Sequence, residues 1–235
     1  MKTLIITPTY NEKENIADFI NAVYENTEGL DINILIVDDG SPDGTALIVK
    51  DLIEKKYSNK LFILERAGKQ GLASAYITGF KWGIEKNYDV ICEMDADFSH
   101  NPKYIKPMLE YFKDYDVVIG SRNIKGGAVK GWGFTRNFIS KGGSLYSRLV
   151  LGCPIKDLTG GFNFWKKEVL VKILEKPILS SGYSFQIELK YKSYKNKFKI
   201  KEFPILFEDR TKGNSKMSKN IFFEALLKIW KIRKY

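Results

Sequence analysis

The segment Val90-Ile91-Cys92-Glu93-Met94-Asp95-Ala96-Asp97 is a hydrophobic run of strand length that ends in two aspartates one residue apart. Side chains at positions i and i+2 of an extended strand point the same way, so both carboxylates can reach one divalent cation and, through it, a diphosphate. A solvated acidic loop is the alternative interpretation. Two further acidic clusters upstream, each at the end of a predicted strand, favour the cation site.

Hydrophobic runs of strand length alternate with helix-period segments around this stretch, which predicts an α/β fold with a mostly parallel sheet and helices on both faces. The predicted strands are 2–7, 32–37, 61–64, 89–94, 116–120 and 199–206. The predicted helices are 12–26, 45–57, 71–87, 102–113, 166–174 and 185–194. Ligands of such sheets bind beyond the carboxyl ends of the strands, where the acidic clusters fall.

The chain has 235 residues, which is enough for one large domain and too few for two of full size. We expect one domain over residues 1–219 and a basic amphipathic helix over residues 220–235. The net charge of +10 predicts attraction to polyanions, anionic lipid headgroups or phosphorylated substrates. The glycine-rich, basic segment 124–143, which follows the predicted strand 116–120, is predicted to be a mobile flap.

Two interpretations of the carboxy-terminal helix stay open. An amphipathic helix usually docks its apolar stripe on its own domain. Alternatively, Trp230 among lysines is typical of a helix that lies in a membrane interface, where each basic residue contributes about 1 kcal/mol near an anionic leaflet.

Cysteine content and the amino terminus predict the compartment. Cys92 and Cys153 lie far apart, so neither a disulfide framework nor a zinc cluster is indicated. The first eight residues reach Pro8 after three strong hydrophobes, too few for a signal-peptide core. No window approaches the roughly 18 apolar residues that span a bilayer. We therefore expect a cytoplasmic protein without a membrane span.

The first two strand-to-helix connections differ from those of a dinucleotide-binding protein. Residues 8–12 contain no glycine, whereas a dinucleotide site needs a glycine-rich turn there. Pro8, Tyr10 and Glu12 can instead border a base and ribose, although Glu12 could simply cap the next helix. Asp43 is a natural helix cap, but capping does not explain why Asp38 and Asp39 crowd a strand end. A base or ribose hydroxyl would supply the donors that these two carboxylates require.

Several motifs together carry a resemblance to a known family. Segments 8–12, 37–45, 94–102 and 120–122 resemble glycosyltransferase family 2, which has the GT-A fold, a Rossmann-like sheet. Segments 157–162, 182–186 and 209–216 resemble its dolichyl-phosphate mannose synthase branch. The likeness extends from Thr3 to about Lys219, and its motifs are more specific for the branch than for the sugar.

The resemblance implies roles for individual residues. The nucleoside would be held by Pro8, Tyr10, Glu12, Val37 and Asp39. The diphosphate would be lined by Asp95 and Ala96, and a Mg²⁺ or Mn²⁺ ion would be ligated by Asp97, with Asp95 as the second metal-ligand candidate. The far side of the donor site would be completed by Arg122, Arg210 and Lys216. Some members carry glutamine at the position of Ser99, where it helps to hold the metal.

The expected reaction is inverting, metal-dependent transfer of mannose from GDP-mannose to dolichyl or another polyprenyl phosphate, at the cytoplasmic face of a membrane. A divalent ion with nearby arginine and lysine stabilises the leaving diphosphate. A phosphate acceptor is already anionic and needs no general base. The scarcity of candidate bases, with His100 as the single histidine, agrees with such an acceptor. Arg136, with Lys130 and Lys141, is the candidate to receive the acceptor phosphate. Because the membrane-spanning helices of some members are missing here, the terminal helix or a partner protein would bring the chain to lipid.

Three alternatives remain. The first is a transferase of the same family that uses UDP-glucose or another UDP-sugar, or that elongates a polysaccharide. The second is a nucleic-acid-binding protein, which is disfavoured because the basic residues are dispersed and the aspartates would repel a phosphate backbone. The third is a catalytically silent scaffold, against which the intact acidic and basic positions argue.

Overall fold

A computed structural model of the chain describes residues 1–209 and 228–234, apart from the side chains of residues 134–139 and of Tyr183. The strands are β1 (Thr3–Thr9), β2 (Ile32–Asp38), β3 (Leu61–Glu65), β4 (Val90–Glu93), β5 (Val117–Ser121), β6 (Ala128–Lys130), β7 (Asn163–Lys166), β8 (Ile200–Pro204) and β9 (Leu206–Glu208). The helices are α1 (Ile16–Asn26), α2 (Thr45–Lys55), α3 (Leu72–Glu85), α4 (Ile105–Leu109), α5 (Phe134–Leu151), α6 (Lys167–Leu174) and α7 (Tyr183–Lys195).

Seven strands form one sheet in the order β3-β2-β1-β4-β7-β5-β8. All neighbours in it are parallel except that β7 runs antiparallel to both β4 and β5. Separately, β6 and β9 form a two-stranded parallel ribbon. The prediction of a mostly parallel α/β sheet is confirmed.

Alternation along the central strands divides the core between the two faces of the sheet. In β1, Leu4 and Ile6 pack in one cluster with Tyr76 and Phe80 of α3, whereas Ile5 packs in the other with helices α1, α2 and α4. Both clusters consist of fully or nearly fully buried side chains. Because successive strand residues point to opposite faces, a fully apolar strand requires helices on both sides.

The segment 124–143 differs from the predicted mobile flap. It contains β6 and the first part of α5, which continues through Gly142 and Gly143. The hydrogen-bonding partner of β6 is β9, nearly 80 residues further along the chain, so no local pattern indicates it. A Cβ atom on Gly127, just before β6, would lie 2.5 Å from the Ser121 carbonyl oxygen, so this glycine permits a close chain crossing.

The described end of the chain packs against the domain. Residues 228–232 are helical, and Ile229 and Ile232 are 1% and 2% exposed within the same core cluster as α3. Trp230 is half exposed and its indole N–H donates to the Tyr146 hydroxyl at 3.0 Å. Residues 220–227 lie outside the described part, so the boundary at residue 219 stays a prediction. No described helix is both long and apolar enough to cross a bilayer.

Candidate active site

The candidate site lies at the carboxyl edge of the sheet, where the connections after β1, β2, β4 and β5 meet. Strands β1 and β2 end in register, with Thr9 opposite Asp38, and the next strand on the other side, β4, ends at Glu93 just before Asp95 and Asp97. Arg122 directly follows β5. The parallel topology therefore places the four polar clusters singled out in the sequence along one edge.

The donors predicted for Asp38 and Asp39 come from the protein itself. Asp38 is buried and accepts hydrogen bonds from the Thr9 and Ser41 hydroxyls at 2.8 and 2.6 Å. Asp39 accepts from the Arg66 guanidinium and from the Gln70 N–H. The donors of the protein satisfy both carboxylates without a ligand, and Asp38 stabilises the turn that follows β2. Asp39 stays a predicted nucleoside contact.

Arg66 was not singled out in the sequence, although it immediately follows β3. Its side chain and that of Asp39 are each 8% exposed, and it also donates to the Ser74 hydroxyl at 2.8 Å. This residue therefore ties the second and third connections to the first turns of α3. A lone arginine after a strand carries no local signal of such a pairing.

The first connection is braced by the second. Asn11, with φ of 58°, donates its N–H to the Ser41 hydroxyl, and Glu12 donates its N–H to the Thr45 hydroxyl, both at 3.0 Å. The predicted cap, Asp43, lies one residue before the N-cap of α2, which is Gly44, and accepts from the Thr45 N–H at 3.0 Å. This bracing holds Tyr10, whose ring lies 4.9 Å from the Lys69 ammonium, beside the edge of the sheet. Pro8 and Val37 belong to the paired strands themselves, with Val37 fully buried.

Asp95 and Asp97 differ in their surroundings. The Asp95 side chain is 40% exposed and accepts a hydrogen bond from the Tyr76 hydroxyl at 3.0 Å. Asp97 is 8% exposed and accepts from the Ser99 N–H at 3.0 Å. Between Asp97 and Ser99, Phe98 has φ of 61°, a rare conformation for a bulky side chain that often marks functional turns. Ala96 is buried between the two aspartates.

These carboxylates suit a divalent cation that a substrate helps to bind. Within the described residues, no three His, Cys, Asp or Glu side chains gather closely enough to enclose a metal ion. Magnesium in nucleotide sites is commonly held by one or two carboxylates, with the remaining ligands from phosphate and water. Asp95 and Asp97 match that donor set.

His100 is part of the framework. It is buried, stacks on Phe162 with ring centroids 5.1 Å apart, and its Nδ1 accepts the Asp95 N–H at 3.3 Å. Burial lowers the pKa of His100 to about 4, so the imidazole is neutral near pH 7. The residue therefore helps to orient Asp95 through this hydrogen bond.

Arg122 forms a buried ion pair with Asp157. The guanidinium donates to both carboxylate oxygens, at 2.8 and 2.7 Å, and the Arg122 N–H donates at 2.9 Å. Arg122 is 8% exposed and Asp157 is fully buried, with the rings of Trp132 and Phe207 about the guanidinium at 5.6 and 5.4 Å. Burial alone would raise the pKa of the Asp157 carboxyl, but the adjacent Arg122 charge holds that pKa well below its usual range.

A buried polar network behind this pair was missed in the sequence. The carboxylate of Glu93 accepts hydrogen bonds from Asn163, Trp165 and Gln186. The Lys190 ammonium donates to the carbonyl oxygens of Asp157 and Gly160 at 2.8 and 2.7 Å. The network thus links β4, β7 and α7 to the loop that holds Arg122. In the sequence, the polar residues of the short strand β7 and of helix α7 cannot be told apart from solvent-exposed residues. Their burial becomes evident only when the elements that pack against them are known.

Replacing Lys190 by methionine is expected to alter the pH dependence of stability. Burial lowers the pKa of Lys190 to about 8, so the unfolded chain binds more protons than the folded one between about pH 8 and 10.5. The stability of the wild type relative to Lys190→Met should therefore rise on the order of 2 kcal/mol across that range. Urea denaturation of both proteins at pH 7, 8.5 and 10 measures the difference. A difference independent of pH would contradict this assignment.

Three predicted residues cannot be placed. Arg136 belongs to the first turn of α5, but its side chain lies outside the described residues. Arg210 and Lys216 also lie outside them. Their predicted roles therefore stay predictions.

Comparison with known proteins decides the family. The sequence model described as glycosyl transferase family 2 matches residues 4–174. The chain belongs to this family. It is 40% identical to the polyprenol monophosphomannose synthase of Mycolicibacterium smegmatis, over 99% of this chain and 88% of that protein. It is 39% identical to the undecaprenyl-phosphate mannosyltransferase of Micrococcus luteus, over 97% of this chain and 93% of that protein.

A further relative extends beyond this chain. This chain is 37% identical to the dolichol-phosphate mannosyltransferase of Pyrococcus furiosus. The alignment covers 100% of this chain but only 64% of that protein. These three relatives confirm the predicted branch of the family, and they confirm that the chain is a glycosyltransferase.

Solved structures support the fold. Glucosyl-3-phosphoglycerate synthase from Mycobacterium tuberculosis, in complex with Mn²⁺, uridine diphosphate and glucosyl-3-phosphoglycerate, aligns with a TM-score of 0.71 and 15% identity. The alignment covers 99% of this chain and 80% of that one. At this identity the similarity concerns the fold, and it confirms the predicted GT-A architecture.

Proposed function

We propose that this glycosyltransferase moves mannose from GDP-mannose to the phosphate of a dolichol-type or other polyprenyl lipid. The observation that carries the proposal is the similarity, over nearly the whole of this chain, to proteins named as a polyprenol monophosphomannose synthase, an undecaprenyl-phosphate mannosyltransferase and a dolichol-phosphate mannosyltransferase. The exposed carboxylate of Asp95 beside the buried one of Asp97 supports a donor that carries a diphosphate.

The proposed roles follow the edge of the sheet. Tyr10 and Glu12 border the nucleoside, together with Asp39, whose carboxylate Arg66 orients. Asp95 and Asp97 would hold Mg²⁺ or Mn²⁺, which when bound neutralises charge on the leaving diphosphate. Arg122, kept in one orientation by Asp157, completes the electrostatic environment, and Arg210 and Lys216 are proposed to approach from the far side.

The acceptor chemistry agrees with the state of His100. A buried, neutral imidazole that is already hydrogen-bonded to Asp95 is poorly placed to deprotonate an alcohol. A phosphate monoester is anionic at neutral pH and attacks the sugar without such a base. The reaction proceeds with inversion, as a single displacement at the anomeric carbon.

We place the reaction at the cytoplasmic face of a membrane. The half-exposed Trp230 and the basic residues around it, Lys228, Lys231, Arg233 and Lys234, support peripheral attachment through the carboxy-terminal helix or a partner protein. Deleting residues 221–235 tests attachment, because liposome binding that survives the deletion would assign it to another surface. Since Ile229 and Ile232 are buried in the core, Trp230→Ser provides the milder variant.

Parallel assays of sugar donors test the proposed function. The purified protein is incubated with Mn²⁺, a short-chain polyprenyl phosphate and either GDP-mannose or UDP-glucose, and the glycosylated lipid is measured by mass spectrometry. We expect product from GDP-mannose, and at least a hundredfold less from UDP-glucose. Product from UDP-glucose alone would support the related glucosyltransferase instead. Replacing the lipid phosphate by its free alcohol should abolish product.

A further inference from the structure

Tyr76 of α3 is a buried tyrosine whose hydroxyl reaches the candidate metal site. Its side chain is fully buried, and the hydroxyl oxygen lies 3.0 Å from Oδ1 of Asp95. An ionised carboxylate only accepts hydrogen bonds, so the tyrosine is the donor. Hydrogen bonds to an ionised group are about twice as strong as those between neutral groups. A donor from the protein core therefore engages one oxygen of a carboxylate that is itself 40% exposed at the edge of the sheet.

The close packing of α3 on the sheet determines where this hydroxyl lies. Gly79, in the turn of α3 after Tyr76, faces β1, and a Cβ atom on it would lie 2.6 Å from a side-chain carbon of Ile6. A larger residue would therefore force α3 away from the sheet or displace Ile6. Because β1 and β4 are neighbouring strands, the same close approach brings Tyr76 within hydrogen-bonding distance of Asp95, which follows the end of β4.

Two buried rings stack on the ring of Tyr76. The centroid of Phe80 lies 6.1 Å away and that of Phe185 lies 6.2 Å away, with interplanar angles of 23° and 8°. Both phenylalanines are fully buried, and close-packed rings of this kind occupy well-defined rotamers. Phe185 belongs to the segment 182–186, which resembles the mannose synthase branch. This residue therefore lies behind the candidate metal site, where it helps to hold the tyrosine in position.

A carboxylate that is held in one orientation is a better ligand than one that rotates. Ordering a side chain on binding costs free energy, so a carboxylate already held by a hydrogen bond loses less when a cation arrives. Partners of this kind commonly raise metal affinity about 10- to 100-fold. We propose that Tyr76 is a positioning residue of the donor site, which fixes the Asp95 carboxylate in the orientation that receives the divalent cation and the diphosphate. Since Tyr76 is fully buried, it acts through Asp95, and its role rests on the proposed function.

Nucleotide binding by Tyr76→Phe, measured by calorimetry, tests this role. The variant keeps the stacked ring and removes only the hydroxyl. Affinity for GDP, and separately for UDP, is measured in excess Mn²⁺ and again in EDTA. In Mn²⁺ we expect the variant to bind the nucleotide about tenfold more weakly than the wild type. In EDTA the two proteins should agree within about twofold, because Arg66 and Gln70 still hold Asp39.

Tyr57→Phe is the matched control. The Tyr57 hydroxyl donates to Oδ1 of Asn21 at 2.7 Å, so the change removes the same group from a bond to another side-chain oxygen. Tyr57 precedes β3, whereas the candidate site lies beyond the carboxyl ends of the strands. The affinity of this variant should stay within about twofold of the wild-type value in both solutions. Thermal unfolding of both variants should lie within a few degrees of the wild type.

A double variant shows whether Tyr76 acts through Asp95. Once Asp95→Asn has removed the charge, the addition of Tyr76→Phe should weaken binding in Mn²⁺ by no more than about twofold, because the effects of residues in contact are not additive. A further loss of about tenfold would contradict a role that is exerted through Asp95.

The other outcomes separate this role from the proposed function. Equal losses for Tyr76→Phe in Mn²⁺ and in EDTA, or a loss below about threefold in Mn²⁺, would overturn the role of Tyr76 alone. Mn²⁺-dependent binding of UDP without binding of GDP would reject GDP-mannose as the donor, and the variants would then be compared with UDP. If the wild type bound neither nucleotide more tightly in Mn²⁺ than in EDTA, the proposed function and the role of Tyr76 would both be overturned.

Discussion

Replacing Asp97 by asparagine is expected to lower kcat for sugar transfer on the order of a thousandfold. The Asp97 Oδ1 atom accepts the Ser99 N–H at 3.0 Å, and an asparagine oxygen keeps that hydrogen bond. The turn after β4 is therefore preserved. What disappears is the negative charge that would hold a divalent cation against the donor diphosphate. Initial rates with saturating GDP-mannose and polyprenyl phosphate, over a range of Mn²⁺ concentrations, measure the loss.

Asp114→Asn is the matched control for this prediction. Asp114 is an exposed carboxylate shortly before β5, so the same chemical change should leave kcat within twofold. Thermal unfolding of both variants should match the wild type within a few degrees. If Asp97→Asn retained more than a tenth of the wild-type rate, the proposed metal ligand would have to be sought elsewhere.

Replacing Asp157 by asparagine should lower the free energy of unfolding by about 3–5 kcal/mol. The variant leaves the guanidinium of Arg122, only 8% exposed, without its countercharge. Moreover, the asparagine N–H₂ would face donors, because each Asp157 oxygen accepts at least two hydrogen bonds. Urea denaturation at pH 7 measures the loss, and transfer activity should fall with it.

A double variant separates stability from function. Arg122→Met with Asp157→Leu replaces the pair by apolar side chains, which commonly restores the stability that breaking a buried ion pair removes. We expect it to recover at least half of the loss seen in Asp157→Asn and to stay below a hundredth of wild-type activity. Recovered activity would show that Arg122 has only a structural role.

The Arg122–Asp157 pair also predicts a response to acid. Because the folded-state pKa of Asp157 is lowered, the pair stabilises the protein above the unfolded pKa of about 4, and this contribution is lost as the pH falls further. The stability difference between the wild type and the double variant should therefore shrink below pH 4.

Much of the fold could be predicted locally. Strands β1 to β5 were expected within two residues of their observed bounds, since each is a short apolar run followed by turn residues. β7 was not predicted, because its four residues, Asn163–Lys166, contain a buried asparagine and a lysine and show no alternation. β6 was not predicted either, since a three-residue strand depends entirely on its distant partner.

The residues of the candidate site also fall into two groups, those that the sequence could indicate and those that it could not. Asp95 and Asp97 could be singled out because they come at the end of a hydrophobic run, and parallel topology brings such positions to one edge. Arg122 was indicated by the family resemblance of residues 120–122. Arg66, Asp157 and Lys190 act through partners 27 to 35 residues away, as the separations of their hydrogen bonds show. No periodicity in a sequence encodes which distant donor meets which acceptor.

The sequence by itself determined the family, the parallel sheet and the edge at which the acidic residues gather, because these depend on local hydrophobic patterns and short motifs. Only the tertiary structure decided that Asp38 and Asp39 are satisfied by Thr9, Ser41 and Arg66, and that Arg122 is a buried, paired arginine. The physical reason is that burial and pairing are properties of two or more chain segments in contact. The sequence does not distinguish a charged side chain that is solvated by water from one that is buried and paired with a carboxylate.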